Sequence, residues 1–163
     1  MKTPSYAFTN ISTIGIDRRL RSKCEIGYEG NRQAFIALWD TGATGTCISS
    51  NVVQKLGMVS TGRKTILTPS GQIIVNEYLA DIYLPNGVQV KDIPICDSEI
   101  GKQGLDVLIG MDIICMGDFA VTNYNGKTAF SFRIPSQKRI DFVQESNIAQ
   151  LAGSHGKGKR KRK

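Results

Sequence analysis

Short apolar runs broken by turn residues dominate the chain, and most of them alternate. C24-E-I-G-Y28 and Q33-A-F-I-A-L-W39 flank Glu29-Gly30-Asn31, a spacing that predicts a β-hairpin. The second strand has few polar interruptions, so it is expected to be buried on both faces. It runs straight into Asp40. Beyond the small-residue turn that follows, Ser49, Ser50 and Asn51 can cap a short helix over residues 52–56, and Gly57 can close it. Residues 63–75 contain two β-prone runs around T68-P-S-G71, a second hairpin with proline and glycine at favourable turn positions.

Residues 78–84 alternate, P85-N-G87 turns, and residues 88–96 continue the sheet, with Pro94 placed near an edge or strand end. L105-D-V-L-I109 is a further apolar strand that stops at Gly110, before one or two helical turns over residues 111–116. Residues 119–124 and 127–134 flank Asn125-Gly126, a type I′ hairpin signal. Helix is scarce. The expectation is a mainly β single domain with one or two short helices, while residues 141–151 either add an amphipathic helix or stay loose.

Composition sets limits on this picture without changing it. A chain of 163 residues, 40% of them hydrophobic, suffices for one core and is short for two. No apolar run reaches membrane-spanning length, and no apolar stretch follows the N-terminal lysine as a signal peptide would require. A cytoplasmic protein is expected. The cysteines, Cys24, Cys47, Cys96 and Cys115, form no C-x-x-C pair and have only His155 as an imidazole companion. That speaks against a metal site and for free thiols buried as small apolar groups.

The net charge of +7 points to nucleic acid until its location is considered. Six Lys or Arg fall in the last seven residues, K157-G-K-R-K-R-K163, and without them the charge is +1. Residues 153–163 therefore read as a basic disordered tail, a candidate contact for nucleic acid or an acidic partner.

The candidate chemistry lies at Asp40. A buried strand delivers this carboxylate to D40-T-G-A43, where Thr41 offers a hydroxyl, Gly42 permits close backbone approach and Ala43 adds no bulk. Taken alone, the motif is also a plain Asx turn. Two further features stand beside it: the hairpin tip Thr68, Pro69, Ser70 and Gly71, about 30 residues on, and Leu108, Ile109 and Gly110, which end an apolar strand about 70 residues on.

In that order and spacing the chain resembles the retropepsin-like aspartic proteases, over roughly residues 22–134. Residues 1–21 are then an N-terminal flank, 135–152 a C-terminal extension and 153–163 the tail. The resemblance implies a closed β-barrel or sandwich with Asp40 as catalytic residue. Thr41, Gly42 and Ala43 would support the active-site loop, Thr68, Pro69, Ser70 and Gly71 would form a flap on the substrate, and Leu108, Ile109 and Gly110 the closing motif. It also implies hydrolysis by water activated between two carboxylates that share a proton, with no metal or organic cofactor. One D-T-G per chain then makes a homodimer a chemical requirement.

Two departures stand out. Retroviral members carry an acid after D-T-G-A and an arginine after the closing glycine, whereas here those positions are Thr44 and Met111. G110-M-D112 is closer to the non-retroviral branch, and Trp39 before the aspartate reads as core. Two other functions compete with an aspartic endopeptidase. One is a non-catalytic dimeric module of the same fold that binds peptide or nucleic acid. The other reads D40-T-G-A-T-G45 as a phosphate loop, although it lacks the G-K-[ST] of a P-loop.

Overall fold

The computed structural model describes residues 4–68 and 71–157. Ten strands and three α-helices follow in the order β1 (Tyr6–Ile11), β2 (Arg21–Tyr28), β3 (Asn31–Trp39), β4 (Cys47–Ile48), α1 (Ser50–Leu56), β5 (Gly62–Thr68), β6 (Gly71–Tyr83), β7 (Gln89–Asp97), β8 (Val107–Ile109), α2 (Met111–Ile114), β9 (Asp118–Thr122), β10 (Ala129–Ile134) and α3 (Phe142–Lys157). The hairpins form where the turn residues place them. Glu29 and Gly30 take φ of 45° and 81° between β2 and β3, and Asn125 and Gly126 take 52° and 72° between β9 and β10. Two successive left-handed residues match the right-handed twist of the strands they join. Gly57 ends α1 at φ 62°.

Pairing runs β2-β3-β8-β4-β7-β6, and β2 returns to β6 through Glu25 opposite Tyr83 and Ile26 opposite Ile82. The result is a closed six-stranded barrel. Among the described residues β5 pairs with β6 alone, so the β5–β6 hairpin stands off the barrel. Pro94 lies opposite Leu79 of β6, while β4 meets β7 only from Cys96 onward. The proline ring therefore occupies a position where β7 has no second neighbour to receive an N–H.

A second sheet, β1-β10-β9, packs on the barrel. The N-terminal flank is therefore not separate from the fold: β1 pairs with β10 along its length, from Tyr6 opposite Ile134 to Ile11 opposite Ala129. An aromatic group joins the two layers. Trp39 stacks on Phe119 at 5.7 Å and meets Phe132 at 5.0 Å and Phe8 at 5.6 Å; contacts of this kind contribute about 1 kcal/mol each beyond the area they bury. Its indole N–H donates to Ser22 Oγ at 2.9 Å, so the largest core side chain has no unpaired polar atom.

Three expectations are corrected. β3 is fully buried on one face only: Phe35, Ala37 and Trp39 point inward, whereas on the other face Ile36 is 47% exposed and Leu38 is half-buried. An apolar residue on the outer face hid the alternation. Three of the four free thiols are buried, and burial pushes those of Cys24 and Cys47 up to about 12, but Cys115 is exposed just past α2. The third correction concerns the reach of α3, the helix that residues 141–151 were expected either to add or to leave unformed. It runs to Lys157, so residues 153–157 are helical where a flexible tail was expected. Its residues 142–150 are exposed, and the basic run from 158 onward lies outside the described residues. Among the described residues, no helix is long and apolar enough to cross a membrane.

Asp118 fastens the chain as it leaves β10. Its carboxylate accepts from Ser136 Oγ, from the backbone N–H of Gln137 at 2.9 Å, and from Arg133 Nε at 3.0 Å and Nη2. The Ser136 and Gln137 hydrogen bonds, then the guanidinium, hold it well below the usual carboxylate range. Its folded value is depressed, so the stabilisation is complete above the unfolded value near about 4 and is lost as pH falls below that. We expect Asp118→Asn to lower Tm at pH 7 by several degrees and by progressively less between about pH 4 and pH 2, measured by thermal denaturation. An equal loss at all pH values would contradict the assignment.

Candidate active site

β3 and β8 run parallel, with Leu38 opposite Leu108 and Trp39 opposite Ile109. The pairing continues past the end of β3, where the backbone N–H of Asp40 donates to Ile109 O at 2.9 Å. Asp40 is thus carried out of the barrel with its backbone still tied to the sheet. Its side chain is half-buried, whereas Thr41 and Gly42 are exposed. The loop turns on Asp40 itself: Oδ1 accepts the Gly42 N–H at 2.8 Å, and the backbone carbonyl accepts the Ala43 N–H at 3.2 Å. The Asx turn is therefore real, and it uses one carboxylate oxygen. Oδ2 has no hydrogen-bond partner among the described residues, so it is available to a further group.

The segment after β8 closes on this loop from behind. Met111 N–H donates to Ala43 O at 2.8 Å and Asp112 N–H to Thr44 O at 3.2 Å. Gly110 makes that approach possible. A Cβ built on it would stand 2.5 Å from Gly45 O and 3.0 Å from Ala43 O, which no side chain tolerates. Ile109 and Gly110 are thereby brought against Asp40 and Ala43, while Leu108 pairs one step earlier with Leu38.

Two residues that bind the site together were not assigned roles by sequence. Asp112 accepts the backbone N–H and the hydroxyl of Thr46, each at 2.8 Å, and the same hydroxyl accepts the Gly110 N–H at 3.1 Å. Thr46 is almost fully buried. A carboxylate with two directed donors and a third bond from Ile113 N–H at 2.9 Å links the two halves of the site. This link lies beside Thr44 and Met111, the positions where retroviral members carry an acid and an arginine. Asp112 could have been found from G110-M-D112; Thr46, the third threonine of its loop, carried no signal.

Of the predicted hairpin-tip residues, Pro69 and Ser70 lie outside the described residues. Thr68 Oγ1 donates to Gly71 O at 2.8 Å at the ends of the two strands. The hairpin reaches the site through its inner face. Ile66 and Val75 pack in one cluster with Cys47, Cys96, Ile100 and Leu105, and Leu38 and Leu108 join it from the strands that carry the Asp40 loop and the closing glycine.

Comparisons with known proteins agree with this geometry. Residues 26–115 match the family described as "gag-polyprotein putative aspartyl protease". No curated protein matches the sequence. Among solved structures, the chain is similar to a retropepsin-like aspartic protease from Rickettsia conorii, with 17% identity and a TM-score of 0.50 over 82% of this chain and 98% of that one. It is likewise similar to the EIAV protease solved with an inhibitor, with 18% identity and a TM-score of 0.50 over 64% of this chain and 92% of that one. With the family match covering more than half its length and the barrel shared with those enzymes, the chain belongs to the gag-polyprotein aspartyl proteases, a family of the retropepsin-like fold.

Proposed function

We propose that the protein is a homodimeric aspartic endopeptidase that hydrolyses peptide bonds in extended polypeptide. The observation that carries this reading is the state of Asp40: a half-buried carboxylate on an exposed loop, its backbone fixed to the sheet, with one oxygen held by Gly42 and the other without a partner among the described residues. Amide hydrolysis by carboxylates needs two of them about 3 Å apart sharing one proton, and the chain has one D-T-G. A two-fold axis beside the exposed Thr41–Gly42 turn brings the second Asp40 from another copy. One carboxylate then takes a proton from water as it attacks the scissile carbon, and the other donates to the carbonyl oxygen. Thr41 is positioned to bond across the axis, and the β5–β6 hairpin serves as the flap that holds substrate in extended form through backbone hydrogen bonds. The basic run has no part in this chemistry.

The test is cleavage of an unfolded protein or a peptide library between about pH 3 and pH 8, the range in which such pairs work. Specific activity should fall on dilution together with the dimer fraction seen by sedimentation, because a monomer holds half the machinery. Activity that persists where only monomer sediments would overturn the shared-site reading. A wild-type protein that dimerises and cleaves nothing would favour the non-catalytic binding module.

A further inference from the structure

β6 changes partners midway. From Gly71 to Glu77 it pairs with β5, and from Glu77 to Tyr83 with β7. The β7 ladder begins at Glu77 opposite Cys96. One rung further out, Asn76 would face Asp97, but the main chain there has turned to β4, where Asp97 lies opposite Ile48 and the next residue, Ser98, donates its N–H to Ile48 O at 2.9 Å. The rung is missing.

The Asp97 side chain fills its place. Oδ1 accepts the backbone N–H of Asn76 at 2.9 Å, and Oδ2 accepts Asn76 Nδ2 at 2.7 Å and the Tyr78 hydroxyl at 3.3 Å. Across the hairpin, Glu77 O accepts from Thr61 N–H at 2.8 Å, Thr61 Oγ1 at 3.1 Å and Ser60 Oγ at 3.2 Å. β6 is thus held to the body by Asp97 at the level where it is also tied to the residues that lead into β5, just where the hairpin leaves the barrel. Beyond that level its contact with the body runs through the apolar inner face, Ile66 and Val75 against Leu38 and Leu108.

We propose that Asp97 is a positioning residue: its carboxylate stands in for the missing ladder rung at Asn76 and so sets the direction in which the β5–β6 hairpin projects toward the Asp40 loop. The role in substrate binding rests on the protease reading; the grip on the hairpin does not. A directed carboxylate suits this place because it accepts from the main chain and from two side chains at once, whereas a backbone carbonyl offers one atom at a fixed angle.

Hydrogen exchange and kinetics on the full-length protein test it together. In Asp97→Ala, amides of residues 63–67 and 72–76 should exchange about tenfold faster while those of 79–83 keep their protection. With the best-cleaved extended peptide, KM should rise about tenfold and kcat change less than about threefold, the signature of lost uniform binding. Asp97→Asn should behave in the same way more mildly. Adding Asn76→Asp to it reverses donor and acceptor and should restore both readouts. Unchanged hairpin exchange, exchange that rises uniformly across the barrel, a fall in kcat at constant KM, or failure of the swapped pair to rescue would each overturn the assignment. Should Asp97→Ala fail to fold, Asp97→Asn and the swap decide alone. If the wild type cleaves nothing, the protease reading falls and the exchange result still decides the role of Asp97.

Discussion

Asp40→Asn is expected to reduce peptide cleavage by about a thousandfold or more and to leave the fold and the dimer in place. The asparagine keeps the shape and the one hydrogen bond that shapes the loop, because its Oδ1 can still accept the Gly42 N–H now held at 2.8 Å. What it loses is ionisation, and in the proposed dimer it loses it twice, once in each subunit. No base remains for water and no shared proton remains for the carbonyl. Circular dichroism, melting temperature and sedimentation should match the wild type, with the dimer equal or tighter because a like-charge contact is gone. Cleavage by purified Asp40→Asn protein at the wild-type rate would refute the assignment of this residue.

Gly110→Ala should damage the site by a different route, through space. The backbone at Gly110, φ −96° and ψ −172°, is open to any residue. The added methyl, however, meets the carbonyl of Gly45 at 2.5 Å and that of Ala43 at 3.0 Å, and neither belongs to a side chain that could swing away. The loop must move, at the expense of Met111 N–H to Ala43 O and Asp112 N–H to Thr44 O. A cost of about 3 kcal/mol follows, the upper end for an overpacked interior, with Tm falling by about 10 °C. Gly62→Ala is the control, since nothing lies within 4 Å of a Cβ built there and its φ is ordinary; it should be nearly neutral. Equal stability of the two variants would show that the loop and the closing segment are not braced as described.

The elements legible in the sequence are those whose causes are local. Glu29-Gly30 and Asn125-Gly126 set their own hairpins because both residues of each turn take positive φ, and Gly57 stops α1 for the same reason. The D-T-G motif and the strand entering it were visible for a similar cause, a continuous apolar run ending in one carboxylate. What could not be read joins distant positions. The closure of the barrel by β2 on β6, the pairing of β1 with β10 and the bond from Thr46 to Asp112, 66 residues apart, depend on how strands come together and leave no pattern in the neighbouring residues. Ile36 misled in the opposite direction, an apolar side chain on the outer face that made β3 read as doubly buried.

Tyr6 sits opposite Ile134, so the polypeptide enters β1 and leaves β10 at one corner of the outer sheet. Neighbouring strands are only about 5 Å apart. A unit whose outer strands begin and end at one corner can be spliced into a longer chain without drawing its neighbours to opposite poles. The same geometry permits the reverse operation. A short linker from residue 134 to residue 6 would seal the corner, and new termini opened at the exposed Glu29–Gly30 turn would give a circular permutant with every strand pairing intact.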